Sequence, residues 1–391
     1  LKEFTEFYTQ AFFKDIKSLN IIAPQKFTKA TDYIDEMVKI IEKLLKNNLA
    51  YKSEDGSVYF NIRKFKNYGK LSGLVLEEQK EDAQGRMAER IKKDEYGKDN
   101  AQDFALWKVW DEKDGNIYWD ADFGKSLPRE SEVIIRGRPG WHIECSAMIA
   151  ATLGEQIDIH LGGTDLIFPH HENERAQSES LSGQPLACYW LHSAFVTIAE
   201  EKMAKSLGNI IHLTDLADKK IAPLAYRYLL LTVHYRTLLN FTWGSLVAAA
   251  KAYEKLKGLV NEWSNPSVVT SETNEGKVIE SYKQSFNRAL EDDLNLPQAL
   301  AVAWEMVKDD KQKRRDKLTT LIDFDQVLGL NLKTPIIALE IPESVKILVA
   351  QRRKARQRAD WSAADQLRQQ IEALGYIVKD TATDAQIIPI K

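Results

Sequence analysis

Across residues 138–198 helical and extended segments alternate at short spacing, and that alternation restricts the architecture more than any other feature of the chain. Arg138-Pro139-Gly140 opens the stretch. Residues 141–153 read as a helix stopped by Gly154, 157–160 as a strand, Gly162-Gly163 as a turn, Pro169 as the first position of a second helix, and 195–198 as another strand. Strands separated by helices of about 10–15 residues are joined by crossovers rather than hairpins, so a parallel α/β sheet is expected. Beyond about Leu213 the β-signal fades. Helices are predicted at 245–260, 280–290, 297–308 and 362–374, with a short β-like tail at 376–378 and 387–388.

The preceding part has a different texture. Residues 3–18 form a helical pattern with Phe4, Phe7, Tyr8, Phe12 and Ile16 on one face. Thr31 is placed to cap a second helix running through Ile34, Met37, Ile41 and Leu45. Asp55-Gly56 followed by an alternating run at 58–62 predicts a hairpin. Residues 80–103 are highly charged, and 118–132 look like an irregular, turn-rich insertion.

At 391 residues the chain has room for two or three domains. A net charge of −3 excludes a uniformly basic nucleic-acid coat but leaves room for local basic patches. No apolar run approaches the ~20 residues that span a bilayer, so no membrane association is expected. Two cysteines, Cys145 and Cys188, give no disulfide framework, which predicts a reducing, cytoplasmic setting.

Three segments carry chemistry. In Phe168-Pro169-His170-His171-Glu172-Asn173-Glu174, His170 and Glu174 are four apart and share a helix face. Alone, the pair reads first as a solvated helix start with an i,i+4 hydrogen bond. With the Cys145 thiolate it makes a set suited to zinc. In Lys202-Met203-Ala204-Lys205-Ser206-Leu207-Gly208 two lysines bracket small residues, a clamp for polyphosphate or an exposed Lys-rich loop. In His160-Leu161-Gly162-Gly163-Thr164-Asp165 a strand ends in a glycine pair and an acid, the way α/β folds bring backbone to a ligand and a carboxylate to ribose, although an ordinary turn has the same pattern.

Taken together and in order, the blocks from Arg138 to Met148, from Gly163 to Glu174 and from Lys202 to Ser206 resemble cysteinyl-tRNA synthetases, and the similarity extends from about Phe4 to the C-terminus. The last block is similar to the Lys-Met-Ser-Lys-Ser signature of class I synthetases, with Ala204 in place of the first serine. The resemblance implies an α/β class I catalytic domain, Rossmann-like and partial (residues 1–28 and 137–186), with an inserted α+β connective region (29–136). A stem-contact region with the lysine loop (187–245), an α-helical bundle (246–335) and a small α+β anticodon-binding region (336–391) would follow.

It further implies that Cys145, His170 and Glu174 hold zinc, that Trp141 lines the cysteine pocket, and that Asp165 beside Gly163 contacts adenosine. Lys205, with Lys202, would act on the phosphates of ATP and Mg2+. His142, His160 and His171 would be packing groups or partners of the ligands. Expected partners are L-cysteine, ATP and tRNA(Cys), with the protein monomeric. A thiol ionises readily at a metal and a serine hydroxyl does not, so zinc would separate the two amino acids without an editing site.

Two family elements are missing, a His-Ile-Gly-His block and an upstream cysteine as fourth zinc ligand, and Cys188 has no precedent as a substitute. With Leu1 falling inside a helical pattern, the sequence is expected to begin inside a larger enzyme, with little ATP–pyrophosphate exchange by itself. In the C-terminal region Lys346, Arg352, Arg353, Lys354, Arg356 and Arg358 lie on one helix-forming stretch without an acid, near Trp361 and Tyr376, a set suited to phosphates and unpaired bases. Two other readings stand beside the ligase. A ligase joining cysteine to an amino-sugar conjugate would not need the long C-terminal region, and a tRNA-binding scaffold would have lost catalysis. A zinc protease would require a His-Glu-x-x-His helix, which is absent.

Overall fold

The computed structural model describes residues 2–74, 103–123, 134–198, 201–203, 208–265, 276–333, 342–358, 360–380 and 385–389. They fall into two compact units, one of residues 1–22, 196–234 and 239–391, the other of residues 23–195 and 235–238. The charged run predicted at 80–103 lies outside the described residues except for Asp103. The chain opens with α1 (Lys2–Ser18), as its periodicity predicts.

In the unit of residues 23–195, α2 (Ile34–Lys46) buries Met37, Ile41, Leu44 and Leu45, one stripe at helical spacing, with Asp35 and Glu36 in its first turn and Lys43 and Lys46 in its last, each matching the helix dipole. Its N-cap is Tyr33; Thr31 instead sits in a single 3-10 turn, Ala30–Asp32. The predicted hairpin is β1 (Ala50–Lys52) and β2 (Val58–Phe60). With β3 (Phe104–Val109), β4 (Trp119–Asp122) and β5 (Ile134–Pro139) it forms an antiparallel sheet in the order β1-β2-β3-β5-β4. The turn-rich insertion therefore contributes a regular strand at 119–122. Gly140 ends this sheet where a Cβ would strike the Ala105 carbonyl, and α3 (Trp141–Thr152) follows at once.

The parallel element is a pair, β6 (Ile157–Gly163) and β7 (Ala187–Ser193), in register from Ile157↔Ala187 to Gly163↔Ser193. The crossover between them carries the His-His-Glu-Asn-Glu motif. Its regular helix, α4, spans Glu172–Ser182, so it does not begin at Pro169. Ile167–His171 is a wider turn in which Phe168 is extended (φ −137°, ψ 132°) and the Phe168–Pro169 peptide is cis. The sequence reading passed over β7, which is the strand that pairs with β6. Residues 196–198 are a strand, but of the other unit.

There, β8 (Val196–Ile198) pairs with β9 (Glu201–Lys202) antiparallel and with β10 (Leu239–Phe241) parallel. Two short helices, α5 (Leu213–Asp218) and α6 (Pro223–Leu231), precede β10. The predicted helical region is α7 (Trp243–Ser264), α8 (Glu280–Glu291), α9 (Leu296–Lys308) and α10 (Arg314–Leu328). Its core includes Leu246, Tyr253, Leu256 and Val260 of α7 and a stacked pair, Phe286 and Phe324, with ring centroids 4.0 Å apart. The chain closes with α11 (Glu343–Gln357), α12 (Trp361–Ala373) and the hairpin β11 (Tyr376–Asp380) and β12 (Ala385–Pro389), over a small core of Val345, Ile371 and Val378.

Candidate metal centre

Cys145 on α3, His170 at the end of the wide turn and Glu174 on the first turn of α4 place one ligand atom each within 4.8 Å of one another. His170 and Glu174 are buried, and Cys145 is half-buried. Nε2 of His170 lies 2.7 Å from Oε1 of Glu174. That oxygen is nevertheless buried without a hydrogen bond of acceptable direction. A buried carboxylate oxygen left in this state costs free energy unless a cation meets it. The donor set of thiol, imidazole and carboxylate suits zinc, and the orphaned oxygen faces the two other donors.

The titration of these groups fits the same arrangement. Burial alone would raise the Glu174 carboxyl, but the imidazoles of His160 and His170 more than offset it and hold it at about 2. Burial, reinforced by the carboxylates of Glu174 and Glu144, pushes the Cys145 thiol up to about 12. The metal-free pocket thus carries an ionised carboxylate and a protonated thiol, and only a cation makes the thiolate favourable there.

Around the three donors stand further histidines. Nδ1 of His142 is 2.9 Å from Nδ1 of His170, and Nε2 of His160 is 2.6 Å from Oε2 of Glu174. Nδ1 of His171 is 2.8 Å from Nε2 of His192, and burial lowers the His171 pKa to about 4. His160, His171 and Glu174 also lie within 4.8 Å of one another, a second grouping that shares the carboxylate. His192 and Trp190, on β7, complete this cluster and were missed with their strand; the Trp190 ring lies tilted against that of His160, centroids 4.6 Å apart. Their available signal was the β-favouring aromatic pair Tyr189-Trp190.

Trp141 is exposed at the first position of α3 and lies over His170, ring centroids 4.4 Å apart, beside the three donors. The glycine pair ends β6 under close constraint. A Cβ on Gly162 would lie 2.6 Å from Cε1 of His171, and one on Gly163 would lie 2.5 Å from Oδ1 of Asp165. Only glycine leaves that space, so the turn holds Asp165 against the end of the strand. Cys188 is exposed on β7 and joins neither grouping. Lys205 lies outside the described residues, as does the side chain of Lys202, whose backbone pairs with Thr197 in β9.

In the C-terminal region five of the six predicted cations on and just after α11 are exposed. The sixth, Arg352, is buried. Trp361 is exposed, with the Arg356 guanidinium 5.6 Å from its ring, whereas Tyr376 packs against the local core. Of the two aromatic side chains, Trp361 is the one presented to solvent.

A parallel pair with an intervening crossover, a glycine-and-acid turn at a strand end and a donor set at the start of a helix are compatible with the class I aminoacyl-tRNA synthetases, and the comparisons with known proteins establish that class. The family described as tRNA synthetases class I (C) catalytic domain matches residues 1–251, and the cysteinyl-tRNA ligase anticodon binding domain matches residues 339–387. A cysteine–tRNA ligase of Chlamydia pneumoniae is 42% identical over 404 residues, covering 100% of this chain and 81% of its own length; one of Chlamydia felis is 40% identical over 99% of this chain and 80% of its own. Among solved structures, Mycobacterium tuberculosis methionyl-tRNA synthetase in complex with methionyl-adenylate is 15% identical, covers 91% of this chain and 82% of its own, and gives a TM-score of 0.46. The chain belongs to the cysteine–tRNA ligase family. Among the described residues no helix is long and apolar enough to cross a membrane.

Proposed function

We propose that this chain takes part in the ATP-dependent ligation of L-cysteine to tRNA(Cys) through a cysteinyl-adenylate, with Cys145, His170 and Glu174 holding a zinc ion that selects the substrate thiolate. The observation that carries the metal reading is the convergence of the three donors on a buried carboxylate oxygen that has no other hydrogen-bond partner. Bound zinc supplies a strong preference for a thiolate over a hydroxyl, which a pocket shaped only by sterics lacks.

The chain's own residues do the rest. For Nε2 of His170 to offer a lone pair, Nδ1 carries the proton and donates it to Nδ1 of His142, which fixes the ring. His160 hydrogen-bonds the far oxygen of Glu174 and leaves the near one for the ion. Trp141, lying on His170, forms a wall for the amino acid, and Asp165 accepts hydrogen bonds from adenosine. Lys205 and Lys202 neutralise the phosphates with Mg2+ while the cysteine carboxylate attacks the α-phosphorus and pyrophosphate leaves. The exposed cations of α11 with Trp361 meet the tRNA near its anticodon end. The domain plan is that of the catalytic domain with its insertion, the stem-contact region, the bundle and the anticodon-binding region at the boundaries given above.

Metal analysis tests this directly. The purified chain is expected to carry stoichiometric zinc, to lose it in Cys145→Ser while keeping its circular-dichroism spectrum, and to be protected from chelation by L-cysteine but not by L-serine. A zinc-free chain after purification in zinc-supplemented buffer would overturn the metal reading.

A further inference from the structure

The motif His170-His171-Glu172-Asn173-Glu174 supplies two donors to the centre, which leaves Glu172 and Asn173 without a role. Both are buried, Glu172 at 0% exposure and Asn173 at 1%. Neither points toward the donors. Oε2 of Glu172 accepts the backbone N–H of Leu71 at 3.1 Å, the N–H of Ser72 at 2.9 Å and the Ser72 hydroxyl at 3.0 Å. Its Oε1 accepts Nη1 of Arg175 at 2.9 Å. The neighbouring Oδ1 of Asn173 accepts the Tyr68 hydroxyl at 2.5 Å.

All of these partners except Arg175 lie in one tight turn of the inserted region, residues 68–74, closed by the N–H of Leu74 donating to the Gly69 carbonyl at 2.9 Å. The backbone of the turn requires glycine at two positions. Gly69 is at φ +91° where a Cβ would strike the Leu74 carbonyl, and Gly73 is at φ +72°. Both positions exclude ordinary side chains.

We infer that Glu172 and Asn173 are positioning residues: they lock the first turn of α4 onto the 68–74 turn and thereby fix the spacing of His170 and Glu174 at the metal. The two sets interleave along one helical turn, so a rotation of α4 that relaxed the Glu172 bonds would also move Glu174 relative to Cys145 on α3. A buried carboxylate with four donors is costly to disturb, because any loss leaves unpaired groups on both sides. Its place beside the ligands makes that stiffness available to the site. The inference rests on the zinc reading above.

The test is zinc affinity by chelator competition on the full chain, together with the Co2+ absorption spectrum and the thermal midpoint. Glu172→Gln keeps the size but opposes an NH2 group to a donor on one side or the other. It is expected to weaken zinc binding about 10- to 100-fold and to change the cobalt bands. Ser72→Ala, which removes one of the four bonds, should weaken binding less, and should add little to Glu172→Gln because the two act through one contact. Thr320→Val serves as the control. It breaks part-buried bonds to the Ile279 N–H and the Asp316 carbonyl in the other unit, and should lower the thermal midpoint with zinc affinity unchanged. Unaltered zinc affinity and cobalt spectrum in folded Glu172→Gln and Ser72→Ala would overturn the inference. A wild-type chain that binds no zinc would instead overturn the reading on which it stands.

Discussion

Replacing Gly162 with alanine adds one methyl group where the structure has no space for it. The new Cβ would lie 2.6 Å from Cε1 and 2.9 Å from Nε2 of His171, and 3.0 Å from Cδ1 of Leu166. His171 has nowhere to go. It is 1% exposed, its Nδ1 is 2.8 Å from Nε2 of His192, and its ring lies 4.5 Å from that of His160 and 5.2 Å from that of Trp190. Overpacking of this kind costs about 1–3 kcal/mol. The same substitution at Gly258, in the interior of α7, meets no atom within 4 Å and should stabilise by about 0.5–1 kcal/mol, through helix propensity alone. Differential scanning calorimetry resolves the two. For units of this size each kcal/mol moves the midpoint by about 2–4 °C, so the two variants should shift in opposite directions. A Gly162→Ala protein as stable as the wild type would refute the claim that the histidine cluster is rigidly packed under the metal donors.

Two further predictions follow from titration and from helix ends. Because the Cys145 thiol is pushed up to about 12 in the metal-free protein, zinc must displace its proton, and affinity should rise about tenfold per pH unit between pH 7.5 and 9; Glu174, held at about 2, adds no slope there, and a flat profile by chelator competition would contradict the ligand assignment. Arg227 joins two helix ends, Nε donating to the Leu328 carbonyl at 2.8 Å and Nη1 to the carbonyls of Leu19 and Asn20 at 3.0 and 3.1 Å, so Arg227→Met should cost about 2–3 kcal/mol in urea unfolding, and Arg227→Lys, which lacks the planar fork, most of that.

The legible parts of the fold were those with one dominant period. The apolar stripe of α2 and the helices from Trp243 onward announce themselves through one buried face, and the hairpin through its Asp55-Gly56 turn, although all three residues of β2 are buried. The strand β7 was illegible for the opposite reason. Its buried Ala187, exposed Tyr189 and half-buried Trp190 and His192 follow no two-residue pattern of hydrophobicity, since a polar cluster occupies one of its faces. The three donors could be named from the resemblance, and their spacing along the chain was consistent with it. The turn at 68–74 could not be placed from sequence, since nothing in Tyr68-Gly69-Lys70-Leu71-Ser72-Gly73 reveals that its amides serve a carboxylate a hundred residues further on. The glycine pair there was the available signal, two positions of positive φ flanking a serine.

The start of α4 shows why the chemistry and the architecture of this motif were hard to separate. A helix polar on every side ordinarily faces water. Here residues 170–177 are all buried, and each polar group among them needs a partner. Most have one within the fold: His170 has His142, His171 has His192, Glu172 has the 68–74 turn and Arg175, Asn173 has Tyr68, and Arg175 has Glu172 and Glu179. Two oxygens are left over. Oε1 of Gln177 belongs to a neutral amide lining a cavity with Ser146, Ile149, Ser178 and Leu181. Oε1 of Glu174 faces a thiol and an imidazole instead, and it belongs to a carboxylate that stays ionised well below neutral pH. A conspicuous run of polar residues thus resolves into a structural majority and two unsatisfied oxygens, of which the Glu174 oxygen alone is charged and stands among further metal donors. That atom is where a cation gains most, and where its removal should be felt first.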